Sequence, residues 1–156
     1  MNTFEGNRME IQQDFKELLV LLNDHKVEYM IVGGYALAFH GAPRYTGDLD
    51  IYVKPDQKNA QHLLAALDDF GFASVNLKQS DFQSPEMVIQ LGVPPVRVDL
   101  ITSISGVSWG EAQSGKIRGN LGDIPVFFIG RREFILNKKA IGRKRDFADL
   151  EALGET

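Results

Sequence analysis

Asp48-Leu49-Asp50-Ile51 places two carboxylates two residues apart in a stretch that alternates acidic and apolar side chains. In an extended chain, residues i and i+2 point to the same face about 6.6 Å apart along the backbone. Asp48 and Asp50 can therefore converge on one point while Leu49 and Ile51 enter a core. Two like charges side by side repel, so the arrangement favours a cation between them. Carboxylate oxygens are hard ligands and suit magnesium or manganese rather than zinc. A third acid, Asp99, stands among apolar residues in Val96-Arg97-Val98-Asp99-Leu100. It can join the cluster if its strand lies beside the first. Taken alone, Asp99 would sooner pair with a nearby basic side chain, and Asp48 and Asp50 would be an exposed acidic strand face.

Upstream, Val32-Gly33-Gly34 follows an apolar run. Two glycines let the backbone turn sharply and let a phosphate approach with no Cβ in the way, with helix N–H groups facing the anion. By itself such a pair is only a turn. Residues 131–145 hold seven basic side chains against Glu133, a local charge of +6 in a chain of net charge −4, which leaves −10 elsewhere. This segment is either a solvated basic helix face or a cationic wall for a phosphate-bearing ligand.

The elements that must position these groups follow from hydrophobic period. Ile11, Phe15, Leu18, Leu19 and Leu22 make one face of a helix over 11–25. A strand over 28–32 stops at Gly33-Gly34, and a short helix over 35–40 is closed by Gly41 and Pro43. The period-two stretch 48–53 is a strand ended by Pro55. The next helix, 56–70, is capped by Asp56 and stopped by Gly71. Strands over 87–91 and 96–101 read as a hairpin around Gly92-Val93-Pro94-Pro95, and a further strand runs over 124–129. Helices over 131–141 and 144–153 break at Gly142. Residues 102–119 give no clean period. The order predicts one mixed α/β domain over 1–156 with a helical C-terminal end at 131–153.

Composition agrees with a globular chain: 156 residues, 44% hydrophobic and 24% charged, can build a core. The absence of cysteine excludes a disulfide scaffold, thiolate catalysis and Cys-ligated metal sites. No apolar stretch approaches a bilayer span, and Met1–Glu10 lacks the pattern of a signal peptide. A cytoplasmic protein is expected. His25, His40 and His62 have no metal-ligand spacing, though His40 neighbours the glycine turn. Trp109 and Phe127-Phe128 read as core or dimer contacts. Asp146 and Asp149, at i and i+3, are placed to pair with basic side chains of their own segment.

Taken together, Val32-Gly33-Gly34, thirteen intervening residues, Asp48-Leu49-Asp50-Ile51 and the later Asp99 resemble the signature of the polymerase-β-like nucleotidyltransferase superfamily. Gly34-Tyr35-Ala36 followed by His40-Gly41, Arg44, Thr46 and Asp48 resembles one branch of it, the small bacterial nucleotidyltransferases related to abortive-infection and toxin–antitoxin components. Lys138 and Gly142-Arg143-Lys144-Arg145-Asp146-Phe147-Ala148-Asp149-Leu150 match that branch's C-terminal pattern, with Arg145 where lysine is usual.

The resemblance implies an α/β (α+β) nucleotidyltransferase fold: a mixed, mainly antiparallel sheet with helices on one face and a short helical end. It implies Asp48, Asp50 and Asp99 as catalytic metal ligands for Mg²⁺ or Mn²⁺. Gly33 and Gly34 are expected at the nucleotide phosphates, and Arg44, Lys138 and Arg145 are further nucleotide-binding candidates. The expected reaction moves a nucleoside monophosphate, AMP from ATP, onto a hydroxyl of a protein such as a partner toxin, or of a small molecule. Long nucleic acid is a poor partner for an acidic chain whose basic stretch one triphosphate can account for. The alternatives are a non-catalytic nucleotide-binding or antitoxin-like interaction module on the same fold, and a structural domain whose carboxylates only solubilise it.

Overall fold

A computed structural model describes residues 12–44, 46–71, 77–93 and 96–155. The Met1–Glu10 segment, the start of the first helix at Ile11 and the Pro94-Pro95 tip of the hairpin lie outside them. Six strands form one sheet: β1 (Tyr29–Val32), β2 (Asp48–Val53), β3 (Val88–Val93), β4 (Val96–Ile101), β5 (Ile117–Leu121) and β6 (Ile124–Phe128). Their order is β3-β4-β2-β1-β6-β5. The pairs β1–β2, β3–β4 and β5–β6 are antiparallel, whereas β2–β4 and β1–β6 are parallel. The sheet is thus mixed and mainly antiparallel, as expected.

Among the described residues six α-helices accompany it: α1 (Gln13–Asp24), α2 (Gly33–Phe39), α3 (Gln57–Phe70), α4 (Trp109–Gly115), α5 (Arg131–Ile141) and α6 (Lys144–Ala152). Helix α1 buries Phe15, Leu18, Leu19 and Leu22, packs on α3 and reaches across β6 and β4. Asp56 caps α3 by accepting from the Asn59 amide, and Gly71 ends it with φ of 104°, a left-handed conformation that costs glycine nothing. Buried Asn59 ties α3 to the sheet, accepting from the Glu28 amide and donating to the Glu28 and Lys54 carbonyls.

Alternation in β2 sends Leu49, Ile51 and Val53 into the core at full burial and leaves Asp48, Asp50 and Tyr52 on the opposite face. Tyr52 meets Trp109 of α4 edge-on, with ring centroids 4.9 Å apart. Helix cover therefore reaches the acid-bearing face beyond Asp50, which refines the one-face packing expected from the sequence.

The stretch without a clean period, 102–119, holds α4 and the start of β5. Its helix is set by a capping box: Ser108 Oγ accepts from the Glu111 amide while Glu111 accepts from the Ser108 amide. Gly142, with φ of 70°, breaks the C-terminal helices where expected.

Candidate active site

Strand register builds the acidic face. Parallel pairing of β2 with β4 sets Asp48 beside Arg97 and Asp50 beside Asp99. All four side chains share one face, since each pair is two residues apart on its strand. Antiparallel pairing of β1 with β2 sets Val32 opposite Asp50, which brings Gly33 against it. Gly33 has φ of 70°, and a Cβ there would collide with Asp50 Oδ2. Gly34 is buried, and a Cβ on it would stand 2.7 Å from the Cβ and Oγ1 of Thr46. Both glycines are required by close approach, but only Gly33 borders the acids.

Burial pushes the Asp50 carboxyl up to about 6, reinforced by Asp99 and then Asp48 and opposed by the positive charges of Lys138 and Arg97. Among the described residues, Asp50 makes no hydrogen bond or ion-pair contact. Asp99 is held by Arg97 through two bonds, Nε to Oδ1 and Nη2 to Oδ2, each 3.1 Å. The same Nε lies 3.8 Å from Asp48 Oδ2. The β2–β4 register thus meets the condition on which Asp99 could join the other two acids, but Arg97 draws two of the three to itself. No group of three His, Asp or Glu side chains among the described residues is gathered closely enough to hold a metal ion as it stands.

The donor set nevertheless fits a divalent cation. It is all carboxylate oxygen, it carries three negative charges against one guanidinium, and its central, partly buried member has no counter-ion in contact among the described residues. Arg97 was not singled out from the sequence. Its signal was present, because it stands two residues before Asp99 and so shares its face.

The basic candidates fall elsewhere. Arg44 grips Asp149 of α6 with two bonds, Nε to Oδ1 at 3.0 Å and Nη2 to Oδ2 at 3.1 Å. Lys138 is buried on α5 and donates to Asp146 at 3.2 Å and Asp149 at 3.0 Å. Arg143, which the sequence reading left unassigned, binds both oxygens of Asp146. Burial alone would raise the Asp146 carboxyl, but Arg143 and Lys138 together bring it down to about 2. These five side chains clamp α5, α6 and the segment after α2 together. Lys138 stays near enough to Asp50 to act on its charge, whereas Arg145 is exposed.

The remaining residues have structural employment. His25 meets Asp69 at 2.7 Å. His40 Nε2 donates to the Ile129 carbonyl at 2.7 Å, and burial, opposed by that bond, lowers its pKa. Phe128 stacks on Phe39 in the core. Two clefts lie away from the acids: one of about 700 Å³ beside Asp14, Glu17, Asp69 and Asp123, and one of about 320 Å³ beside Lys26, Lys116 and Arg118.

The sequence profile of the aminoglycoside-2''-adenylyltransferase family matches residues 14–102, more than half of the chain and a span that includes both glycines and all three acids. The chain belongs to this family. It is a nucleotidyltransferase, and nucleotidyltransferases of this kind generally use divalent metals.

Solved structures agree in fold. A Thermotoga maritima protein assigned as a nucleotidyltransferase superposes with a TM-score of 0.61 at 16% identity, covering 88% of each chain. The antibiotic-resistance factor ANT(2'')-Ia gives 0.59 at 11% identity, covering 90% of this chain and 80% of its own. The lincosamide antibiotic adenylyltransferase LnuA, solved with lincomycin bound, gives 0.55 at 14% identity, covering 92% and 96%. No curated protein matches the sequence. Among the described residues, no helix is long and apolar enough to cross a membrane.

Proposed function

We propose that the protein transfers AMP from ATP to a hydroxyl of a small molecule, with magnesium or manganese held by Asp48, Asp50 and Asp99. The observation that carries this reading is Asp50, a carboxylate raised to about 6 between two other acids and pressed against Gly33. An acid so placed is costly to ionise unless a cation is supplied. The bound metal would supply Lewis-acid charge to the triphosphate. Gly33 gives the Asp50 carboxylate room against the turn, so the nucleotide phosphates would meet the turn beside the metal. The acceptor oxygen bonds to the α-phosphorus, the bond to the β-phosphate bridging oxygen breaks, and pyrophosphate leaves. Asp99 orients the acceptor hydroxyl and takes its proton.

The small-molecule acceptor is supported by the family's name and by LnuA, which holds lincomycin. A second reading, a hydroxyl on a partner toxin, is favoured by the toxin–antitoxin-like pattern from Lys138 to Leu150, which lies outside the family match. The test is incubation with ATP and Mg²⁺ and a panel of aminoglycosides, lincosamides and simpler polyols, with any toxin encoded beside it as a parallel arm. Mass spectrometry should show one AMP added to a small molecule, and Asp50→Asn should prevent it. Labelling of the toxin alone would shift the acceptor to protein. Nucleotide binding with no transfer to any acceptor would favour the non-catalytic module.

A further inference from the structure

Arg97 has the position of a cation in a site built for cations. Its face is fixed by the backbone, since β4 parity puts it with Asp99 and the β2–β4 register puts it beside Asp48. Its guanidinium uses both oxygens of Asp99 and reaches 3.8 Å from Asp48. Those are oxygens a divalent ion would need, and carboxylate lone pairs engaged by an arginine fork are not open to a metal. The side chain is 29% exposed and ends a long flexible stem, so it can leave without disturbing the strand.

We propose that Arg97 is an exchangeable counter-ion, holding Asp99 and Asp48 in the metal-free protein and competing with the divalent cation for them. This rests on the metal-dependent reading above. Three carboxylates on one face would otherwise repel, and one guanidinium lowers that repulsion until metal arrives. Once displaced, the guanidinium stays on the acidic face, within reach of an incoming polyphosphate. Metal bound alone must expel Arg97 into water, whereas metal bound with a nucleotide gives it a new anionic partner. The exchange thus couples metal binding to nucleotide binding through one side chain.

The experiment is a titration of full-length protein with Mn²⁺ alone, read by calorimetry and by the free-ion EPR signal, for the wild type and for Arg97→Gln, Arg97→Lys and Asp50→Asn. Arg97→Gln should bind Mn²⁺ alone about tenfold more tightly, because a unit positive charge within 4 Å of the ligands is removed. Arg97→Lys keeps the charge but not the fork, and should fall between. The gain in Mn²⁺ affinity on adding ATP should be smaller in Arg97→Gln than in the wild type. Circular dichroism establishes folding, and if Arg97→Gln does not fold, Arg97→Lys carries the comparison. Unchanged or weaker Mn²⁺ binding by the folded variant overturns the counter-ion role. If instead neither the wild type nor Arg97→Gln binds Mn²⁺, with or without ATP, the metal-dependent reading itself fails.

Discussion

Asp50 Oδ2 occupies the space that a β-carbon on Gly33 would need. The carboxylate thus excludes any side chain at the turn, whereas position 50 accepts a side chain no larger than aspartate. Gly33→Ala must both adopt φ of 70° and push the carboxylate aside. Gly41 has φ of 110° with open space around it, so Gly41→Ala meets only the backbone penalty. In urea denaturation Gly41→Ala should cost about 1 kcal/mol and Gly33→Ala about 2–3 kcal/mol. Only Gly33→Ala should also abolish stabilisation by metal and ATP. Equal effects of the two variants would show that the contact with Asp50 is unimportant.

Removing the charge at the centre of the acidic face should make the metal-free protein more stable. The Asp50 carboxyl titrates near 6 when folded, against 3.8 as its ordinary value. A raised carboxyl disfavours the folded state once ionised. The penalty is absent below about pH 4, grows as pH rises through 6, and is complete at neutral pH. Asp50→Asn should therefore gain at most about 3 kcal/mol at pH 7.5 and almost nothing at pH 4. Denaturation at the two pH values, without metal, checks this. Destabilisation at pH 7.5 would mean that Asp50 has a structural partner.

The acids and the glycine turn were legible because chemistry and backbone geometry share a local code. Period two in Asp48 to Val53 marked the strand and its acidic face, and Gly33-Gly34 marked the end of β1, although α2 starts at Gly33 itself rather than at Tyr35. The neighbourhood of Asp50 and Asp99 needed the β2–β4 register, a long-range pairing that no local pattern specifies. Helix α4 escaped because its seven residues make under two turns, although Ser108-x-x-Glu111 was its signal. The basic candidates were read from charge alone, and the structure gives Arg44 and Lys138 carboxylate partners. The sequence offered Asp146 and Asp149 as partners for basic side chains of their own segment, and Lys138 is one; the reach of Asp149 to Arg44 is a tertiary contact that composition cannot show.

That clamp should be the weak point of the C-terminal helices in acid. Asp146 is fully buried, and its carboxyl is lowered to about 2 although burial opposes this. A depressed carboxylate contributes stability that is present above its unfolded value and lost as pH falls through its folded one. Stability should decline between about pH 4 and pH 2, and Asp146→Asn should flatten that decline. At pH 7, Lys138→Met should cost about 3 kcal/mol, since it leaves buried carboxylates short of a partner. Arg44→Met should cost less, because the arginine is 45% exposed. Hydrogen exchange in 131–152 reads the effect locally, and a uniform change across the sheet would argue against a separate clamp.

Metal and nucleotide should stabilise the protein together more than the sum of their separate effects. Metal alone meets three carboxylates and a competing Arg97, and ATP alone brings its own negative charge to an acidic face. Each ligand is thus poorly matched until the other neutralises it. With both present at about 100 times their joint dissociation constant, the folded state gains about 2.7 kcal/mol, which for a chain of this size is several degrees in melting temperature. Thermal shift with Mg²⁺, ATP and both, repeated with Asp50→Asn, separates the contributions. The wild type should show a synergistic rise and the variant none. Simple additivity in the wild type would place metal and nucleotide at independent sites, and the same synergy in Asp50→Asn would remove this acid from the joint site.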